Sequence, residues 1–253
     1  LPHALNAGFQ INPTVRAFYA DDRASGSGRD GGSGTGQVAT LTGETPQSSY
    51  TEDVKNSFSD YDDAAIVFLS RAGGEGADVR TNYTRPVAGR SDYNNNGDAA
   101  TGDHYLDLDD NEEALIEMAK QKFDKVVVVL NIATSFELGS LKDDEGVDGI
   151  LWLGFAGGSG INALGKVLNG QVNPSGRTVD IYAADFKKDP TFANFATNYT
   201  SSYVNEAGGR TGVNFVEYDE GIYMGYRYYE TEAKKREAGG TMKTTYIPSD
   251  TVF

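Results

Sequence analysis

A glutamate set among glycines, directly after an apolar run, is the feature of this sequence best suited to chemistry. The run is Ala64-Ala65-Ile66-Val67-Phe68-Leu69, and it leads into Ser70-Arg71-Ala72-Gly73-Gly74-Glu75-Gly76-Ala77-Asp78. A strand ending in such a turn presents a carboxylate just beyond the sheet, where ligands gather in open parallel sheets. Glycines on both sides of Glu75 free the backbone and leave room for approach. Whatever approaches meets a group able to gain or lose a proton. The same residues are compatible with a solvated acidic turn, and a salt-bridged turn accounts for Arg71 and Asp78 at least as well as a site does.

Other constellations are weaker. Asp92-Tyr93-Asn94-Asn95-Asn96-Gly97-Asp98, with Asp103 at the twelfth position, has the oxygen spacing of a calcium loop, although Asp replaces the usual glutamate and no clear helix precedes it. A polar surface loop is the simpler account. Gly26, Gly28 and Gly31 spell a dinucleotide fingerprint with no strand before it and no helix after it. Gly160 to Lys166 has the spacing of a phosphate loop, but Val167 stands where Ser or Thr would hold magnesium, and the stretch reads as helix. The only histidines are His3 and His104, so a multi-histidine zinc site is nearly excluded, and His104 reads as a loop residue. Asn82-Tyr83-Thr84 and Asn198-Tyr199-Thr200 fit a glycosylation pattern that arises often by chance. No metal or cofactor is called for.

The chain has 253 residues, no Cys and a formal charge of −15, with 38% apolar and 23% charged residues. These values suit a globular protein of one large or two small domains. Without Cys there are no disulfides, thiolate metal sites or cysteine nucleophiles. The acidic balance disfavours nucleic acid and anionic lipid as partners and favours a neutral one, such as a sugar, or another protein. No apolar run approaches the roughly 20 residues of a membrane helix, and no signal peptide is expected. With no initiator Met, the chain reads as a piece of a longer polypeptide. Compartment is barely constrained, with cytoplasm slightly favoured over secretion.

Strands and helices alternate along the chain. Ala64–Leu69, Val126–Ile132 and Gly149–Leu153 read as strands. The second is β-branched and apolar on both faces, as in the middle of a covered sheet. Asn111–Phe123 carries apolar residues at helical spacing after Asp109 and Asp110, which can cap it. Residues 49–58 and Gly157–Asn169 are further helices, and Thr178–Tyr182 is a short strand after the Asn173-Pro174-Ser175-Gly176 turn. Leu1–Tyr19 reads as a helix end broken at Asn12-Pro13. Trp152 is expected in the core, and the tyrosines of 218–229 are expected to bury their rings. Residues 21–47 and 80–103 are polar loops, and 186–214 is polar and irregular. This pattern predicts an α/β fold: a three-layer sandwich, a mostly parallel β-sheet with helices on both faces. The expected division is a sandwich domain at 1–230 and a linker or tail at 231–253.

Four pieces in order carry a family resemblance: Ile66–Arg71 running into Gly74-Glu75-Gly76-Ala77-Asp78; Val126–Ile132; Leu168-Asn169-Gly170-Gln171-Val172-Asn173-Pro174-Ser175-Gly176-Arg177; and Glu220-Gly221-Ile222-Tyr223-Met224-Gly225-Tyr226-Arg227-Tyr228-Tyr229. Together they resemble the second, α/β sandwich domain of glycoside hydrolase family 3, of the β-glucosidase type. The resemblance implies an active site shared with a barrel domain that carries an aspartate nucleophile and is not present in this chain. It implies that Glu75 is the general acid/base of a retaining β-glycosidase acting on a β-linked glycoside or oligosaccharide, and that this segment alone is inactive. It leaves room for a homo-oligomer. The competing expectation is a noncatalytic carbohydrate-binding or scaffold domain of the same fold. The segment between Asp78 and Tyr105 is longer than the family resemblance leads one to expect.

Overall fold

The computed structural model describes residues 8–21, 44–71, 106–132, 134–192, 202–204, 210–214, 218 and 220–237. Its centre is a parallel sheet of three strands in the order β1-β2-β3, with β1 at Ala65–Ser70, β2 at Val126–Asn131 and β3 at Gly149–Trp152. Val67 faces Val128 across the first pair, and Val128 faces Ile150 across the second. Parallel neighbours need a crossover between them. Helix α3 (Asp110–Lys122) lies between β1 and β2, and the short α4 (Gly139–Lys142) lies between β2 and β3.

The sheet's side chains alternate as strand geometry requires. Val67, Leu69, Val126, Val128, Leu130 and Ile150 fall on one face. There they form the main core with Ile116 and Ala119 of α3, Leu141 of α4, and Phe136, Leu138 and Tyr182 from irregular segments. Val129, on the opposite face, is also fully buried, so the centre of β2 is covered on both sides. That is the setting expected for a continuous β-branched run. The mostly parallel α/β architecture read from the sequence is the one observed.

A second, smaller cluster sits on the outer side of α3. Met118 packs there with Tyr50, Val54 and Phe58, from α2 (Glu52–Asn56) and the residues around it. Helix α1 (Pro13–Ala20) closes this cluster with Val15 and Phe18. Asn12 and Pro13 do not break a helix, as the sequence reading held; they begin one. The Asn12 side chain accepts from the backbone N–H groups of Thr14 and Val15, and Pro13 takes the first turn, where a missing N–H costs nothing.

Helix α3 begins with a reciprocal cap. Asp109 accepts from the Glu112 N–H at 2.8 Å, and Glu112 accepts from the Asp109 N–H at 3.2 Å. Asp109 is itself buried. Asp109→Ala is expected to cost about 0.5–2 kcal/mol. The check is the urea midpoint, which should fall with an unchanged m value.

Beyond β3 the chain turns through α5 (Gly157–Gly160), a 3-10 turn and α6 (Leu164–Leu168), rather than one uninterrupted helix. Gly157, Gly158 and Gly160 lower its helical propensity. Gly160–Lys166 lies within these helical turns and forms no phosphate cradle. Gly170 ends the run with φ of 76°. Thr178–Tyr182 is not a strand: Val179 is 96% exposed and the segment joins no sheet among the described residues. The stretch read as irregular contains an antiparallel pair, β4 (Ser202–Val204) and β5 (Arg210–Asn214). The signal for it was Gly208-Gly209 between two segments carrying Val and Tyr or Thr. Helix α7 (Tyr226–Glu237) continues through residue 230, and its buried Tyr229 donates to Asp189 Oδ2 at 2.8 Å.

Candidate functional site

The carboxyl ends of β1, β2 and β3 define the edge where an open parallel sheet binds ligands. The residues there are Ser70 and Arg71, Asn131 and Ile132, and Trp152. Ser70 and Asn131 are partners in register, with Asn131 Nδ2 3.4 Å from Ser70 Oγ. Glu75 lies outside the described residues, four positions beyond Arg71. Asp78, the Asp92–Asp103 loop, His3, His104, the Gly26–Gly31 motif and both glycosylation patterns lie outside them too.

The described part of this edge is dominated by Arg71. Its side chain is 1% exposed and pairs with Glu112, 3% exposed, through two parallel bonds. Nη1 donates to Glu112 Oε1 and Nη2 to Oε2, each at 2.6 Å. Nη1 also donates to the Ser70 carbonyl at 3.0 Å, and Nη2 to the Asp107 carbonyl at 2.5 Å. The Phe136 ring lies 4.8 Å from the guanidinium carbon, a cation–π distance. Arg71 is thus ion-paired to a helix residue 41 positions away, while the turn that would hold Asp78 lies outside the described residues. Sequence reasoning passed over Glu112. The signal was the Asp-x-x-Glu spacing at 109–112, which marks a capping box.

At the end of β3 the expectation of a core tryptophan fails. Trp152 is 42% exposed and Phe155 is 67% exposed. The Trp152 indole N–H donates to the Ile132 carbonyl at 2.9 Å, which fixes the ring across the ends of two strands. Gly154 has φ of 60°, and a Cβ there would lie 3.2 Å from the ring. A side chain at 154 would meet both an unfavourable backbone and the indole. Strand position alone suggested burial, but Trp152 is the last residue of β3, where the sheet's cover ends.

Near the start of α3 lies the half-buried carboxyl of Glu44. Burial pushes the Glu44 carboxyl above the usual range, and the charge of Glu112 adds to the rise. Bonds from the Thr45 N–H and the Tyr19 hydroxyl oppose it. The Tyr19 and Tyr50 hydroxyls also bond to each other. This cluster joins α1 to the start of α3 through Asn111, whose amide donates to the Glu44 carbonyl at 3.3 Å. Among the described residues, no group of three or more His, Asp or Glu converges as a metal site would require.

The family model for the glycosyl hydrolase family 3 C-terminal domain matches residues 15–226. This chain belongs to that family. The family 3 domain is 30% identical over 215 residues to beta-glucosidase A of Butyrivibrio fibrisolvens, which covers 79% of this chain and 23% of that protein. It is 25% identical over 232 residues to a beta-glucosidase of Ruminococcus albus, covering 92% of this chain and 20% of that one. Among solved structures it resembles beta-glucosidase 3B from Thermotoga neapolitana in complex with alpha-D-glucose. The TM-score is 0.57 at 25% identity, over 87% of this chain and 25% of that one. The family 3 domain thus spans about a quarter or less of the length of these relatives.

Proposed function

We propose that this family 3 domain forms one wall of the active site of a retaining β-glucosidase-like enzyme, with Glu75 as general acid/base. The facing wall is a barrel domain carrying the aspartate nucleophile. The observation that supports this reading is positional. Strand β1 of a parallel sheet ends at Ser70, and the Gly-Gly-Glu-Gly sequence begins three residues later. Relatives that share the domain are named as β-glucosidases, and one of them was solved with glucose bound.

The chemistry follows from the residue type. Retaining glycosidases use two carboxyl groups about 5–5.5 Å apart. The nucleophile attacks the anomeric carbon while Glu75 protonates the departing glycosidic oxygen. Glu75 then takes a proton from the water that releases the sugar. While the aspartate is ionised, like-charge repulsion raises the Glu75 pKa and keeps it an acid. Once the aspartate is glycosylated its charge is gone, the Glu75 pKa falls, and the same group serves as base.

A half-site has a measurable signature. The polypeptide joining this domain to a barrel is expected to hydrolyse aryl β-glucosides with retention of configuration, seen by proton NMR of the first-formed sugar. Residues 1–253 alone are expected to bind glucose too weakly to saturate at millimolar concentrations. Trp152 is the single tryptophan, so its emission reports on the carboxyl edge of the sheet during the titration. Tight, specific binding by the chain alone would replace this reading with that of a noncatalytic carbohydrate-binding module.

A further inference from the structure

We propose that the buried Arg71–Glu112 pair is a positioning device for the acid/base step; this rests on the reading of Glu75 given above. One planar guanidinium holds two residues that flank the 72–105 connection, Ser70 before it and Asp107 after it, through their backbone carbonyls. The same group is fixed to helix α3 by its two hydrogen bonds to Glu112. Glu112 is held in turn, because its Oε2 accepts the Asp109 N–H and its own N–H is capped by Asp109. Both ends of the stretch that carries Glu75 are therefore referred to one helix start.

A buried ion pair is weak evidence of a gain in stability. Well-packed apolar residues in place of a buried ion pair are often neutral or stabilising. What a bidentate arginine–carboxylate pair supplies is direction, because the two planar groups fix each other's orientation. Glu75 lies four residues beyond Arg71, within about 14 Å along an extended chain. A misplacement of about 1 Å at a reacting group can cost roughly 10²-fold in rate. A device that fixes the base of the connection is therefore worth its desolvation.

The test uses the intact enzyme and three variants: Arg71→Met with Glu112→Leu as an apolar double, Arg71→Lys, and Glu75→Ala as reference. Each is measured on a β-glucoside with a poor leaving group and on one with an activated leaving group, with thermal melts alongside. The double variant is expected to melt near the parent temperature, yet lose about 10- to 100-fold in kcat on the poor leaving group. On the activated substrate kcat/KM, which reports the first step, should be largely spared, whereas kcat should fall as activation of water slows. Should the double variant fail to fold, Arg71→Lys, which keeps the charge but not the fork, is expected to show the same split. Parent-like turnover of the poor substrate, or equal loss of kcat/KM on both substrates, would overturn the positioning role. If Glu75→Ala leaves both substrates unaffected, the acid/base reading itself fails, and this proposal falls with it.

Discussion

In the intact enzyme, Glu75→Ala is expected to lower turnover of β-glucosides with poor leaving groups by roughly 10²–10⁴-fold, the usual contribution of a positioned acid or base. Activated aryl glucosides should lose far less in the first step, since their leaving groups depart without a proton. Their second step should slow instead, because no base remains to activate water. Added azide should then restore rate on the activated substrate, since an anionic nucleophile needs no base, and the product should be a β-glucosyl azide. Steady-state kinetics with a leaving-group series, with and without azide, decide the matter. Uniform loss across the series, or no loss, would remove Glu75 from the mechanism. The pH profile gives a second reading. On the proposed mechanism the parent needs Glu75 protonated for departure of a poor leaving group, so its rate is expected to fall as pH rises through the Glu75 pKa. In Glu75→Ala that alkaline limb should disappear.

The second large effect is expected at Phe136. This residue lies in no helix or strand, yet it is fully buried in the main core and stacks on the Arg71 guanidinium. Phe136→Ala is expected to cost about 3–5 kcal/mol, from lost burial and the cavity left behind. For a domain of this size that corresponds to a melting temperature lower by roughly 6–20 °C. Val179→Ala is the matched control, because Val179 is 96% exposed. It should change stability by less than about 0.5 kcal/mol. Urea denaturation of the two variants beside the parent gives the comparison. A loss below about 1 kcal/mol at Phe136 would mean that the 134–138 segment is not part of the cooperative core.

These two positions also mark where sequence reasoning works and where it stops. Strand β2 was legible because five consecutive apolar residues, four of them valines, have few stable settings other than the middle of a sheet. Helix α3 was legible because Asp109 supplies a cap before a helical apolar stripe. Phe136 and Leu138 carry no periodicity, so nothing local announces their burial; the crossover from β2 to α4 brings them under the sheet. Val179 fails in the other direction: apolar type and a preceding turn suggested a strand, but no neighbour pairs with it among the described residues. The tyrosine-rich segment divides in the same way. Tyr229 is buried, while Tyr218, Tyr223 and Tyr226 are half or more exposed. Ring size alone does not say which face of a helix, or which side of a turn, a tyrosine occupies.

The strand that precedes Glu75 was legible in the sequence, and the residues packed behind that strand's end were less so. The placement of Glu75 after a strand's carboxyl end needed only the apolar run and the glycines. The partner of Arg71 needed a contact across 41 residues, which no window of local pattern spans. Trp152 needed the end of β3 to be known to the residue, since one position separates a covered strand from an open edge.

The bond network around Arg71 has a consequence for how such domains diversify. One guanidinium holds the Ser70 and Asp107 carbonyls, so the two flanks of the intervening sequence are bridged at their base. Doubling a flexible loop adds only about 0.6 kcal/mol of closure entropy. Changes of length between Arg71 and Leu106 are thus expected to be nearly neutral for folding, so this stretch is where such domains can vary without renegotiating the core.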